Sequence, residues 1–103
     1  MEIDLNNYEN TMLLGAEAYS KAAELLGLNL DPSNPDFREL INDYMDRHYE
    51  WYHDDTEHQY MGWDCGECYM GGEIQKGMVC GDFLLIYAET PNYKKVSIYK
   101  KRA

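Results

Sequence analysis

At 103 residues the chain has room for one domain, 1–103, with an adequate but not generous core. Nineteen Asp and Glu against nine Lys and Arg leave a formal charge of −10, which argues against direct binding to nucleic acid or an anionic membrane and favours a basic partner. The opening Met-Glu-Ile-Asp-Leu lacks the basic and apolar regions of a secretory leader, and no run is long enough to span a bilayer. A cytoplasmic protein with reduced cysteines, monomeric or weakly dimeric, is therefore expected.

The charge is unevenly placed. Residues 1–68 hold sixteen acidic and three basic side chains, whereas residues 69–103 hold three acidic and six basic ones. In the acidic part, Leu5, Tyr8, Met12, Ala16, Tyr19, Ala23 and Leu26 recur at steps of three and four, which predicts a helix over about 5–26. Asn6 with Glu9 has the form of a capping box, and Gly27 stands where a left-handed terminating residue belongs. After the connector Leu28–Asn34, Pro35 opens a second predicted helix over about 35–55. Its apolar stripe is Phe37, Leu40, Ile41, Tyr44, His48, Trp51 and Tyr52. The two helices are expected to pack antiparallel through these stripes.

Six of the eight glycines fall between residues 62 and 81, where no period is sustained. A structureless stretch of this kind in a small domain needs something to hold it, so a metal-tied loop over 58–81 is expected. The chain ends in Phe83–Tyr87, a strand candidate, then Thr90-Pro91-Asn92-Tyr93 as a turn, then the alternation around Val96 and Ile98. The predicted fold is α+β: two antiparallel helices, a glycine-rich loop tied by zinc, and a C-terminal β-hairpin or small antiparallel sheet over 82–102.

Two constellations carry chemistry. On the second predicted helix, Asp36, Glu39, Asp43, Asp46, Glu50, Asp54 and Glu57 are spaced 3, 4, 3, 4, 4 and 3 residues apart. At 3.6 residues per turn they share an arc of roughly 80°, nearly opposite the apolar stripe. A plain solvated face normally mixes signs and gains from Glu-to-Lys pairs. A single-signed row instead suits a surface lined with Lys and Arg, such as one built for phosphates. Tyr49, projecting from the polar side, is the aromatic candidate for contact.

The second constellation is Cys65-x-x-Cys68 with Cys80, which supplies three ligands for zinc. His58, seven residues before Cys65, is the first choice for the fourth, ahead of His48, His53 and the carboxylates Asp64 and Asp82. Three unconnected thiols are the plain alternative. A redox pair fits less well, because this Cys-x-x-Cys does not lie between a strand and a helix of a βαβ unit. A site closed by four protein ligands is structural, no nucleophile motif is present, and no catalytic residue is assigned. The chain is read as a non-enzyme.

The acidic stretch "DFRELINDYMDRHYE" and the cluster "HDDTEHQYMGWDCGECYM…VCGD", on a short acidic chain, resemble the small phage-encoded anti-CRISPR proteins, in particular a zinc-containing inhibitor of type II CRISPR nucleases. The resemblance implies a stoichiometric inhibitor, present in the host cytosol, that binds the effector nuclease and blocks entry of target DNA into its positively charged channels. The alternative is a zinc-stabilised adaptor that binds through its loop or its Lys-rich hairpin.

Overall fold

The computed structural model describes residues 3–55, 73–90 and 93–102. A short 3-10 turn at Leu5–Asn7 leads into strand β1 (Tyr8–Asn10), followed by helix α1 (Ala16–Leu26), helix α2 (Phe37–His48) and strands β2 (Trp51–Asp55), β3 (Glu73–Cys80), β4 (Phe83–Glu89) and β5 (Lys94–Lys101). Among the described residues these strands form one antiparallel sheet in the order β1-β5-β4-β3-β2.

The expected two helices with a terminal hairpin are therefore corrected. The α+β character and the strand pair over 82–102 remain. The sheet, however, has five strands, and three of them come from segments read as helix or loop.

The predicted first helix is interrupted by short-range polar contacts. Asp4 accepts the Asn6 N–H at 2.9 Å and caps the 3-10 turn, and Asn10 Oδ1 accepts the Met12 N–H at 2.8 Å. Met12 (φ 66°) and Gly15 (φ 57°) both take left-handed backbone, so no helix crosses them. Such Asx contacts compete with helical bonding. Helix α1 does stop as expected: Gly27 is left-handed (φ 70°), Leu28 N–H reaches Ala23 O at 2.9 Å and Gly27 N–H reaches Glu24 O at 3.2 Å. Of the predicted stripe, Tyr19 and Ala23 are buried, with Ala18 and Ala22 beside them, while Ala16 is exposed.

Helix α2 starts where Asn34 Oδ1 accepts the Asp36 N–H and Asn34 O accepts that of Phe37, both at 2.9 Å. It ends at His48 instead of running to 55, because Tyr49 turns extended and Glu50 N–H bonds Gly77 O at 2.8 Å. The next five residues, Trp-Tyr-His-Asp-Asp, then pair with β3, from Trp51 opposite Gly77 to Asp55 opposite Glu73. Ladder hydrogen bonds and packing of large aromatics onto a pleated surface outweigh the helical period here.

Within the expected loop 58–81, residues 73–80 form β3. It joins β4 through a tight hairpin at Gly81-Asp82, with Cys80 opposite Phe83 and Gly81 at φ 61°. Gly77 is required by packing. A Cβ there would stand 3.0 Å from Trp51 Cε3 and 3.1 Å from Ile86 Cδ1, so the indole lies across the strand against Ile86.

Both helices cover one face of the sheet. Ala18, Tyr19, Ala22, Ala23, Phe37, Ile41 and Met45 pack with Leu85, Tyr87, Val96 and Ile98 in a single core. Leu84, Ile86 and Ala88, which point to the other face, are also buried. Burial on both faces explains why β4 reads as an unbroken apolar run rather than an alternation. No helix among the described residues is long and apolar enough to cross a membrane.

Candidate functional site: the acidic face of α2

The end of α2 at His48 divides the predicted row of carboxylates. Asp36 precedes the first turn, and Glu39, Asp43 and Asp46 lie on the helix itself. At 1.5 Å rise per residue, the span from Asp36 to Asp46 is about 15 Å. Glu50 follows the helix and faces β3, where its Oε1 accepts the Val79 N–H at 3.0 Å. Asp54 lies on β2, and Glu57 is outside the described residues. The expected continuous stripe is thus shortened to four carboxylates.

These four are not equivalent. Asp46 is hydrogen-bonded and ion-paired to the Lys76 ammonium of β3. That ammonium also sits 5.2 Å from the centre of the Tyr49 ring. Burial alone would lower the Lys76 pKa, but the hydrogen bond and charge of Asp46, with the charge of Glu89, outweigh it and the net direction is up. Asp36, Glu39 and Asp43 are exposed and form no ion pair with a described cation. Arg38 gives the face no neutralisation across the helix: its guanidinium lies 5.3 Å from the centre of the Tyr19 ring, on the side of α1. Tyr49 is exposed as expected, and its ring is 5.8 Å from that of exposed Tyr52.

Lys76 and Glu89 were not legible as neighbours of this face. Each lies on a strand whose position against α2 depends on the sheet. The adjoining Tyr87 records their proximity. Its phenol pKa is pushed well up, first by burial and then by the charges of Glu89, Asp46, Tyr19 and Asp43. Burial likewise raises Tyr19, against the lowering effects of its hydrogen bond to Asn42 and of Arg38.

A pH dependence follows from these shifts. The folded pKa values of Tyr87, Tyr19 and Lys76 lie above their ordinary values of 10.0, 10.0 and 10.5. The stability linked to them is therefore complete below about pH 10 and is lost as pH rises through the folded values. The urea midpoint should fall between pH 10 and 12. It should fall less steeply in Tyr87→Phe, and an unchanged slope in that variant would contradict the assignment.

Of the predicted zinc ligands, Cys65, Cys68 and His58 lie outside the described residues, as does the alternative Asp64. Cys80 ends β3 and packs, partly buried, against the helix-side core. Burial, and then the charge of Glu50, push its thiol pKa up. A zinc ligand must be a thiolate, so the surroundings of Cys80 favour the thiol until a metal offsets them. His48 lies tilted against Tyr44 with ring centres 4.4 Å apart, and His53 stacks on Trp51 at 5.8 Å. Among the described residues, no three His, Cys, Asp or Glu side chains gather as a metal-holding group.

Shallow depressions flank α1. One is lined by Leu13, Ala16, Glu17, Ser20, Lys21 and Glu24, and the other by Ala16, Ser20, Pro32, Asn34, Pro35, Phe37 and Arg38. The first carries the Lys21–Glu24 ion pair at 3.7 Å, and the second the guanidinium of Arg38. Compared with protein-family models, curated proteins and solved structures, the chain matches none of them.

Proposed function

We propose that this chain is a non-enzymatic inhibitor, acting in the host cytosol, that binds a basic, nucleic-acid-handling protein through the outward face of α2. The observation that supports it most is the run of exposed carboxylates Asp36, Glu39 and Asp43 at the start and along the outer face of α2, without an ion pair among the described residues, on a chain of net charge −10. The exposed rings of Tyr49 and Tyr52 border it and offer apolar contact area. The sequence resemblance to anti-CRISPR proteins makes a CRISPR effector nuclease the specific partner, with DNA loading as the blocked step.

Association of this kind is steered by charge, so salt weakens it. The test is DNA cleavage by a panel of purified type II CRISPR nucleases, with the protein added before or after the target DNA. Inhibition is expected only when the protein is added first. The double variant Glu39→Lys/Asp43→Lys should weaken it by about tenfold or more. Those two sites are chosen because Asp46 and Glu50 also hold β3, and their reversal would disturb the fold. No inhibition across the panel, or full inhibition by the double variant, would sink the reading.

A structural zinc held by Cys65, Cys68, Cys80 and His58 is a separate part of the proposal. Such a metal would tie the C-terminal end of β3 to the segment before it, and its binding would add to folding. Elemental analysis of protein purified without a histidine tag should give about one zinc per chain. Cys80→Ser and Cys68→Ser should each lose it, whereas a metal-free native protein would remove this part alone.

A further inference from the structure

The hydrogen-bonding sides of β5 can be assigned from three contacts. Lys101 N–H donates to Asp82 O at 2.7 Å, on the β4 side. On the opposite side, Arg102 N–H donates to Asn7 O at 2.8 Å, and Ile98 O accepts from Thr11 N–H at 3.0 Å. Antiparallel strands alternate these directions residue by residue, so Lys94, Val96 and Ile98 direct their backbone groups away from β4.

Strand β1 covers only one end of that side, pairing Tyr8, Glu9 and Asn10 with Lys101, Lys100 and Tyr99. At Thr11 the chain leaves the edge, turned away by the Asn10 side chain and the left-handed Met12. The N–H and C=O groups of Lys94 and Val96 therefore point away from β4 with no backbone partner among the described residues; Lys94 is exposed and Val96 keeps 4% of its surface, whereas Ile98, beside Thr11, is fully buried. The gap continues the line of β1, like a sheet position left unfilled.

The charge around the gap is unlike the rest of the molecule. Residues 94–102 contain five basic side chains and no acidic one. Lys94 and Lys95 are exposed, on opposite faces of the strand. Lys94 makes one loose pair with Glu89 at 3.7 Å, and the Lys95 ammonium lies 5.3 Å from the centre of the exposed Tyr93 ring.

Lysines on an open edge discourage pairing with apolar or basic strands, and they disfavour a second copy of β5 in particular. The same charges attract a strand of opposite sign. We infer that the Lys94–Val96 edge accepts an extended acidic peptide segment of another protein as an added antiparallel strand. Cross-strand partners lie about 5 Å apart, so the segment that fits places consecutive acidic residues opposite Lys95 and Lys94 and a β-branched residue opposite Val96. This surface shares no residue with the acidic face of α2 and stands independently of the function proposed for it.

The test uses the full chain and a synthetic heptapeptide with Val-Glu-Glu at its centre and threonines on both sides. Binding is followed by NMR titration and amide hydrogen exchange. Saturable binding is expected, with slowed exchange of the Val96 amide. Two changes should each weaken it about tenfold or more: Gln-Gln in place of Glu-Glu, and N-methylation of the valine and second glutamate, whose N–H groups would face β5. Methylating only the first glutamate, which faces away, should have little effect. The protein variant Lys94→Glu/Lys95→Glu should lose the acidic peptide and take a Val-Lys-Lys peptide instead. Glu39→Lys/Asp43→Lys should leave peptide binding intact. Absence of binding overturns the proposal, as does equal binding of the doubly methylated peptide, which would mean charge attraction without strand addition. Concentration-dependent self-association that protects the Val96 amide without peptide also overturns it, by making a second copy the occupant.

Discussion

Leu85→Ala is expected to destabilise the protein by about 2–5 kcal/mol, among the largest effects of any single substitution. Leu85 is fully buried at the middle of β4, between Met78 of β3 and Ile98 of β5, and faces the helix-side core. Truncation removes the apolar contacts of the side chain and leaves a cavity in the core that it shares with Ile41, Met45, Val96 and Ile98, whose strands and helices cannot close in freely. A domain of this size has a total stability of about 5–15 kcal/mol, so a substantial fraction is at stake. The urea midpoint at neutral pH measures it. Leu40→Ala is the control: Leu40 is 40% exposed, and its loss should matter much less. Equal effects at the two positions would contradict the assignment of the core.

The second large effect concerns a polar contact inside that core. Asn42 is 9% exposed, and its Oδ1 accepts the Tyr19 hydroxyl at 2.8 Å, linking α2 to α1. Asn42→Leu leaves the buried phenol without its acceptor and should cost about 1–3 kcal/mol. Tyr19→Phe removes the orphaned hydroxyl. The double variant Tyr19→Phe/Asn42→Leu should therefore be more stable than the sum of the single changes predicts, by about 0.5–3 kcal/mol. Strict additivity would mean that the contact does not join the helices energetically. The pair accounts for an asparagine on an apolar face, and it fixes which residues of α1 meet α2 where hydrophobic packing alone would tolerate a slide.

The acidic face is partly legible in the sequence. Asp36, Glu39, Asp43 and Asp46 follow helical spacing, which α2 realises from Glu39 to Asp46 while Asp36 stands just before its first turn. Glu50 and Asp54 follow the same spacing but lie beyond the helix. A period of three and four counts residues without sensing whether a neighbouring strand offers better partners. The Lys76 ammonium beside Asp46 comes from a residue thirty positions away, so no local pattern predicts it.

Several features are properties of the chain alone: the charge imbalance, the helix stop at Gly27, the Asx turn of Asn34 ahead of α2, the Phe83–Tyr87 run and the alternation around Val96 and Ile98. Each depends on groups within a few residues, whether a left-handed glycine, a side-chain acceptor near the helix start, or an apolar pattern matched to one backbone geometry. Strands β1, β2 and β3 were decided only by the tertiary structure. Tyr8–Asn10 and Trp51–Asp55 are short and polar enough to be stable in no conformation by themselves. Glu73–Cys80 carries a glycine whose reason is the Trp51 ring packed against it. Their backbone bonds and aromatic contacts become available only beside β4 and β5, and that gain overrides the helical period that the isolated segments display.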